Sequence, residues 1–176
     1  DGIPFWDTGA PGIAGRPELT EQPADPATAP EPVDSSAGAI SAQGLLRLGR
    51  YLQTHADRLA VSGTIGKSDR RPDLPQSPAD IAALGQTYLN AGLTAAQTLF
   101  QEPYLSTGTK HQGILLHSIY HQPNGWDYVP SGATVPHGES CMWGDYHLLE
   151  LAVYIQRLAE GKPYLTFFNV ENRGTS

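Results

Sequence analysis

Residues 34–59 read DSSAGAISAQGLLRLGRYLQTHADRL, and this stretch decides the fold class of the chain. Asp34, Ser35 and Ser36 are residue types that accept the unpaired N–H groups at the start of a helix. Apolar residues then recur at spacings of three and four, which places them on one helical face. The members of this stripe are Leu45, Leu48, Leu52, Ala56 and Leu59. The pattern predicts a long helix over residues 36–58.

A second helix is predicted downstream. Ser77 and Pro78 form a favourable start, because serine caps the first turn and proline lacks only an N–H that has no helical partner there. The apolar stripe that follows continues to about residue 102, and Pro103 ends it. Residues 113–120 then form a short apolar run, which suits either a strand or a buried extended segment.

The last helix is predicted to start near Gly144 and Asp145 and to end at Gly161. Its apolar side chains lie on nearly every side, which indicates an inner position in the fold. Residues 121–142, before this helix, are rich in proline and glycine and predict a long loop. Loops of about 20 residues inside a compact domain are more often functional than incidental.

The two ends of the chain are predicted to be irregular. Residues 1–35 contain seven prolines, which remove backbone donors and suit either a linker or a loop that follows a surface. Ile3, Phe5 and Trp6 favour the surface loop, because large apolar side chains seek burial. The helical part is expected over residues 36–170, and residues 171–176 are expected to be a tail.

Composition excludes several classes of protein. A length of 176 residues suits one ordinary domain, and a formal charge of −7 argues against nucleic acid or an anionic membrane surface as the partner. One cysteine cannot form an internal disulfide framework, and no stretch approaches the roughly 20 apolar residues of a membrane span. The chain begins at Asp1 and its single methionine is Met142, so we expect either N-terminal processing or a piece of a longer protein.

Chemistry concentrates between residues 111 and 150. This stretch contains five of the six histidines and two of the three tryptophans, and it has no lysine or arginine. Aromatic rings mixed with short polar side chains on loops suit a sugar site, because rings cover the apolar faces of pyranoses and polar groups fix the hydroxyls. The alternative is that Trp126 and Trp143 close the ends of a helical core.

The same stretch contains candidate residues for a metal site and for a catalytic carboxylate. His117 and His121 are four residues apart and would face one ligand if they lay on a helix. The side chains that could complete such a site are His111, His137 and Cys141. Pro123 argues against a helix there, and no HExxH motif occurs, so no metal is predicted. Asp145 is the best local carboxylate for glycosidase chemistry, although an aspartate in a first helical turn is also favoured as a cap.

Several ordered blocks of sequence together resemble one enzyme family. The blocks are residues 3–7 (IPFWD), 10–11 (AP), 34–40 (DSSAGAI), 113–121 (GILLHSIYH), 126–128 (WDY), 139–147 (ESCMWGDYH), 149–152 (LELA) and 162–164 (KPY). They resemble the C-terminal third of the unsaturated glucuronyl hydrolases, glycoside hydrolase family 88. The resemblance implies an all-α fold that is part of a single (α/α)6 barrel, a six-hairpin toroid whose long loops line the pocket end.

The resemblance also implies a reaction and a substrate. Such enzymes release a 4,5-unsaturated uronic acid from oligosaccharides made by polysaccharide lyases, by hydrating the ring double bond, and they need no metal or organic cofactor. The family's catalytic aspartates lie upstream of the block at residues 3–7. No catalytic residue is therefore predicted in this chain, and the implied partners are an unsaturated uronyl oligosaccharide and the missing N-terminal half of the barrel.

The resemblance assigns this chain a share of the pocket wall. The expected substrate-binding residues are Tyr120, Trp126, Tyr128, Ser140 and Trp143, with His117 and Tyr146 as second choices. The expected helix caps near the pocket are Asp34, Ser35, Ser36 and Asp145. The loop at residues 130–136 contains no lysine, which argues against the sulfate recognition found in some family members.

Two other functions stay open at this point. One is an unsaturated rhamnogalacturonyl hydrolase, because those enzymes share the Trp-Gly-Asp element found at residues 143–145. The other is a non-catalytic half that binds carbohydrate or acts as a scaffold. In every case a partial barrel is expected to expose apolar surface along its open seams.

Overall fold

A computed structural model describes most of the chain. The described residues are 1–19, 21–62, 75 and 77–163. The predicted tail at 171–176 and most of the predicted loop between the first two helices lie outside them. Within the described residues the architecture is all-α, as the sequence predicts, and no β-strand is present.

Helix α1 spans Ser35–Ser62, slightly longer at both ends than the predicted 36–58. Asp34 caps it, because its Oδ1 accepts the N–H of Ser36 at 2.9 Å and its carbonyl oxygen accepts the N–H of Gly38. Ser35 and Ser36 were also predicted as caps. They lie instead inside the first turn, and their hydroxyl groups bond to side chains rather than to the helix backbone.

Helix α2 spans Pro78–Leu99. The predicted cap is confirmed, because the Ser77 hydroxyl accepts the N–H of Asp80 at 3.1 Å. The helix ends three residues earlier than the predicted residue 102. Pro103 keeps the helix from continuing past residue 102, whereas the observed end is the cap at Phe100, whose N–H donates to the Ala96 carbonyl oxygen at 3.0 Å.

Helix α3 spans Met142–Ala159, and its cap differs from the predicted one. The Cys141 sulfur accepts the N–H of Gly144 at 3.4 Å, so the helix begins before Gly144 rather than at it. Burial raises the pKa of this thiol, which keeps it neutral. Asp145 therefore lies within the first turn and is not the cap; its side chain bonds to another segment, described below.

Helix α1 packs along both other helices and forms the centre of the fold. It runs antiparallel to α2, because residues later in α1 contact residues earlier in α2. The contacts that define this direction are Leu46 with Gly92, Gly49 with Gly85, and Leu59 with Ile81. It runs parallel to α3, where the defining contacts are Ser36 with Trp143, Gln43 with His147, and Arg47 with Tyr154. The N-terminal ends of α1 and α3 thus lie side by side.

The core lies between the three helices and extends to the N-terminal segment. Its largest fully buried side chains are Leu46, Leu99, Leu115, Leu148 and Leu151. Ile3 joins this core, and an antiparallel bridge pairs Phe5 with Val33. The two ends of the proline-rich segment are therefore packed on the helices, as Ile3 and Phe5 predicted, and they do not behave as a free linker. No helix in the described part of the chain is long and apolar enough to cross a membrane.

Candidate functional site

The apolar run at residues 113–120 is an extended segment outside any strand, and its backbone pairs with residues 104–106 only through an isolated antiparallel bridge between Leu105 and Leu115. Its backbone donors are accepted in part by Asp145, whose carboxylate receives the N–H groups of Ile114 and Leu115 at 2.8–3.1 Å. The Ser140 hydroxyl also donates to this carboxylate, at 2.9 Å. A carboxylate can accept several hydrogen bonds at once, so one side chain satisfies donors that a strand would otherwise pair.

Two further aspartates hold the other end of the same segment. Asp34, the cap of α1, also accepts the N–H of Ile119 at 3.3 Å. Asp127 accepts the N–H groups of Tyr120 and His121, the second at 2.8 Å. Three carboxylates therefore hold the segment, and they come from the cap of α1, from α3 and from the loop that precedes α3.

Held in this way, the segment places a cluster of aromatic rings at the N-terminal ends of α1 and α3. The Tyr120 ring lies 5.9 Å from that of Trp126 and 5.3 Å from that of Trp143, between ring centroids. The His121 ring packs on Trp126 at 4.9 Å. Tyr120 is 57% exposed and Trp126 is 62% exposed, so the rings form a surface open to solvent. The alternative in which both tryptophans close a helical core does not hold for Trp126.

Trp143 is oriented by a short chain of hydrogen bonds. Its Nε1–H donates to the Ser36 hydroxyl at 3.1 Å, and Ser36 in turn donates to Asp34 at 2.7 Å. The neighbouring Ser35 hydroxyl is buried against that of Ser118, at 3.1 Å. The first turn of α1 therefore fixes the ring on α3, which gives Ser36 a role in positioning that a cap would not have.

His117 lies inside the protein, away from the aromatic cluster. Its Nδ1 accepts the N–H of Gly138 at 3.2 Å, and its ring packs edge-on against Tyr104 and parallel to His137. Burial is the main cause that lowers the pKa of His117 to about 4, and it raises the pKa of Tyr104 to about 12. His117 is therefore a neutral interior side chain, and its expected role as a second-choice substrate-binding residue stays a prediction.

The other predicted site residues divide between two surfaces. Ser140 lies beside the cluster through its bond to Asp145. Tyr128 is exposed in the same loop, but no ring contact or hydrogen bond joins its side chain to the described residues. Tyr146 points elsewhere: its hydroxyl donates to Glu150 at 3.0 Å, and its ring lines an apolar groove along α3.

Sequence reasoning missed one polar pair near the site. His111 Nδ1 accepts the N–H of Gly113 at 2.9 Å, which leaves its Nε2–H to donate to Glu139 at 3.2 Å. Glu139 stands next to Ser140, and its carbonyl oxygen accepts the N–H of Ser118. His111 and Glu139 are 28 positions apart and no periodic pattern links them, so only the folded chain brings the two together.

The histidines do not converge on a metal. His117 is buried against Tyr104, whereas His121 packs on Trp126, so the spacing of four residues places them in different environments. The part of the chain that the structure describes holds no group of three or more histidine, cysteine, aspartate or glutamate side chains arranged to bind a metal ion.

Comparison with protein family models, with curated proteins and with solved structures finds no match for this chain. The chemistry of the site therefore rests on its geometry. The aromatic cluster can cover the apolar face of a ring-shaped polar ligand, and neighbouring hydroxyl and amide groups can bond to its edges. Asp34, Asp127 and Asp145 each accept two or more hydrogen bonds from the chain itself, so they are committed to holding the segment.

Proposed function

We propose that this chain is the C-terminal part of an (α/α)6-barrel glycoside hydrolase similar to the unsaturated glucuronyl hydrolases of family 88. The observation that carries the proposal is the exposed cluster of Tyr120, Trp126 and Trp143 at the N-terminal ends of two parallel helices. Stacked rings beside hydroxyl groups are suited to the apolar face of a pyranose.

The helix directions support the barrel. In such a barrel, inner helices run parallel to one another and are connected by outer helices of opposite direction. Helices α1 and α3 would be neighbouring inner helices and α2 the outer helix between them in sequence, because α1 is parallel to α3 and antiparallel to α2. The loops that hold the aromatic cluster lie at the N-terminal ends of α1 and α3, where the pocket of this barrel is expected.

In the proposed reaction this chain supplies part of the substrate-binding wall and no proton donor. A carboxylic acid protonates the double bond of a 4,5-unsaturated uronic acid, water adds to the resulting cationic centre, and the hydrated sugar opens and is released. The acid comes from the part of the barrel upstream of this chain, because the three aspartates nearest the rings already accept hydrogen bonds from the backbone. The proposal involves no metal or organic cofactor.

The proposal predicts that the 176-residue chain alone has no turnover. Unsaturated chondroitin, hyaluronan and rhamnogalacturonan disaccharides would each be incubated with the chain, and loss of the double-bond absorbance would be followed. A protein that also contains the upstream half should consume a glucuronyl disaccharide. Preference for the rhamnogalacturonan disaccharide would instead identify the related rhamnogalacturonyl hydrolase. Robust turnover by the chain alone would overturn the assignment of the acid to the upstream half.

The role of the rings is tested in the protein that contains both halves. Trp143→Ala should lower kcat/KM by about ten-fold or more, which corresponds to about 1.4 kcal/mol of lost transition-state binding. Tyr88→Ala, which removes a half-buried ring from α2 outside the cluster, is the matched control. If the two variants lose activity only in proportion to their loss of melting temperature, Trp143 belongs to the core and not to a binding surface.

A non-catalytic carbohydrate-binding or scaffolding half is the second candidate. The commitment of Asp34, Asp127 and Asp145 to backbone donors favours it, because a binding surface needs no free acid. The chain alone would then bind an unsaturated disaccharide, and adding the upstream half would produce no turnover. The same two measurements, binding and absorbance loss, separate this candidate from the enzyme.

A further inference from the structure

A second groove, which is basic, lies between the C-terminal halves of α1 and α3. Its volume is about 330 Å³. Its walls contain four cationic side chains, namely Arg47, Arg50, Arg58 and Lys162, and no aspartate or glutamate. Only seven lysine and arginine residues lie in the described part of this chain, whose formal charge is −7, so more than half of those cations line this one groove.

The cations on α1 share one side of the helix. Successive helical residues are rotated by about 100°, so Arg47, Arg50 and Arg58 all lie within about 40° of Thr54. Thr54 itself lines the groove, and its hydroxyl donates to the Arg50 carbonyl oxygen at 3.0 Å.

Two of the arginines have no counter-charge in the described chain. Lys162 is paired with Glu160 at 2.8 Å, and Arg47 lies over the Tyr154 ring at 5.8 Å. The guanidinium groups of Arg50 and Arg58, in contrast, make no hydrogen bond or ion pair with any residue that the structure describes. Arg50 and Arg58 are eight residues apart, about 12 Å along α1, so each guanidinium group can bind a separate oxyanion of one acidic chain.

The groove also has an aromatic wall. The Tyr51 and His55 rings are stacked with centroids 6.0 Å apart and planes within 4° of parallel. Flat rings beside arginine forks suit a ligand with an apolar ring face and an acidic substituent. Because pockets for drug-sized ligands start at about 300 Å³, the groove has room for a small portion of a polymer and not for a long strand.

We propose that this groove binds the carboxylate or sulfate groups of an acidic glycan, at a site separate from the aromatic cluster. The oxyanion chemistry follows from the arginines alone; naming a glycan as its source rests on the proposed function. Ser36 beside the cluster and Thr54 in the groove are 18 residues apart, which is five helical turns and about 27 Å. A disaccharide therefore occupies one site at a time, whereas a longer chain can span both and gain affinity.

The experiment uses NMR amide shifts of the isotope-labelled 176-residue chain during titration with a chondroitin 6-sulfate disaccharide. Shifts at residues 47–58 report the groove, and shifts at residues 118–128 report the aromatic cluster. Arg50→Ala/Arg58→Ala should weaken the groove affinity by about ten-fold or more. Its matched control is R16A/K110A, which removes two exposed cations outside the groove; removal of two positive charges takes either variant from −7 to −9. The control should change the affinity by less than about two-fold.

Several results would overturn the proposal. One is the absence of shifts across the groove amides as a set. Another is an equal loss of affinity in both double variants, which would indicate general charge attraction. Groove-dependent shifts with inorganic phosphate and none with the disaccharide would exclude the glycan as the source. Tighter binding of an oligothymidylate at the groove would assign it to nucleic acid. In the protein that contains both halves, an unsulfated unsaturated chondroitin disaccharide that shifts the groove but not residues 118–128 would support the groove and contradict the proposed function, so the two failures are distinguishable.

Discussion

The carboxylate of Asp145, in the first turn of α3, accepts hydrogen bonds from the backbone of a segment that lies about 30 residues earlier in the chain. It accepts the N–H groups of Ile114 and Leu115 and the hydroxyl of Ser140. Asparagine has the same shape but only one accepting oxygen, so Asp145→Asn leaves at least one of these donors poorly paired. We expect a loss of about 1–3 kcal/mol in the free energy of unfolding, measured with urea.

Glu139→Gln is the control for this change. It removes a neighbouring carboxylate that is largely exposed and bonded to His111 alone through its side chain. A loss below about 0.5 kcal/mol is expected, because exposed ion pairs contribute little. Equal losses in the two variants would mean that Asp145 does not hold the segment.

The buried His117 predicts a specific dependence of stability on pH. Its folded pKa of about 4 lies below the unfolded value of 6.5, so between these values the unfolded chain binds more protons than the folded one. Stability therefore falls as the pH decreases through this window, by up to about 3 kcal/mol from this side chain, and the contribution is complete above pH 6.5.

His117→Asn is the variant that tests this dependence. The backbone of His117 has a φ of +65°, a conformation that asparagine adopts more readily than most residues, so the change keeps the turn and removes the titrating ring. Urea unfolding at pH 7 and at pH 5 should give a smaller difference in stability for the variant than for the unmodified chain. An undiminished difference would assign the pH dependence to other groups.

The helix caps show which contacts of single residues can be predicted from the sequence. Asp34 and Ser77 were predicted as caps and are caps, because a cap bonds to a backbone only two or three residues away. Asp145 was predicted as a cap and instead bonds 30 residues away, and His117 is buried by packing from Tyr104. A partner two or three residues away can be predicted from the local sequence, whereas a partner that only the folded chain brings near cannot.

The helices α1 and α2 approach so closely at Gly49 that a side chain has no room there. A Cβ at Gly49 would lie 2.7 Å from the Gly85 carbonyl oxygen and 2.7 Å from Leu89 Cγ. Gly49→Ala must separate the helices, and the cost of that separation exceeds the alanine advantage of about 1 kcal/mol in helix propensity. We expect net destabilisation of about 1–3 kcal/mol in thermal or urea unfolding.

Gly44 provides a control on the same helix. A Cβ there would meet nothing within 4 Å, so Gly44→Ala should stabilise the chain by about 0.5–1 kcal/mol. Because Gly49→Ala should destabilise the chain and Gly44→Ala should stabilise it, the comparison separates the effect of helix packing on stability from that of helix propensity. Stabilisation by both would mean that α1 and α2 are not held at this distance.

The sequence predicts the three helices but does not distinguish a strand from an extended segment at residues 113–120. The three helices follow from apolar spacing of three and four, and their existence and order are confirmed with ends displaced by a few residues. The pattern at 113–120 suits either a strand or a buried extended segment, and the structure shows the latter. Periodicity cannot decide between them, because several donors of the run bond to Asp34, Asp127 and Asp145 and others to the carbonyl oxygens of Tyr104 and Glu139, which local spacing does not bring near.

The fold as a whole leaves one side of α3 without a partner in the described chain. Met142, Tyr146, Leu149 and Val153 follow one another at helical spacing, and all are about half exposed or more. Part of this stripe lines an apolar groove of about 370 Å³ shared with α1. Contiguous exposed apolar surface of this kind marks an interaction site or an aggregation hazard, and this agrees with the open seam expected of a partial barrel.

The apolar stripe on α3 predicts that the chain associates with itself in solution. Leu149→Gln/Val153→Gln should shift sedimentation velocity profiles toward the monomer and reduce the binding of a hydrophobic dye, because it interrupts the stripe at its centre. Leu93→Gln/Val61→Gln replaces the same two residue types at exposed positions on α2 and at the end of α1, so it removes equal hydrophobicity from scattered sites. If this control reduces association as much as the α3 variant, total hydrophobicity and not the stripe drives it. A chain that sediments as a monomer at high concentration before any substitution would contradict the prediction outright.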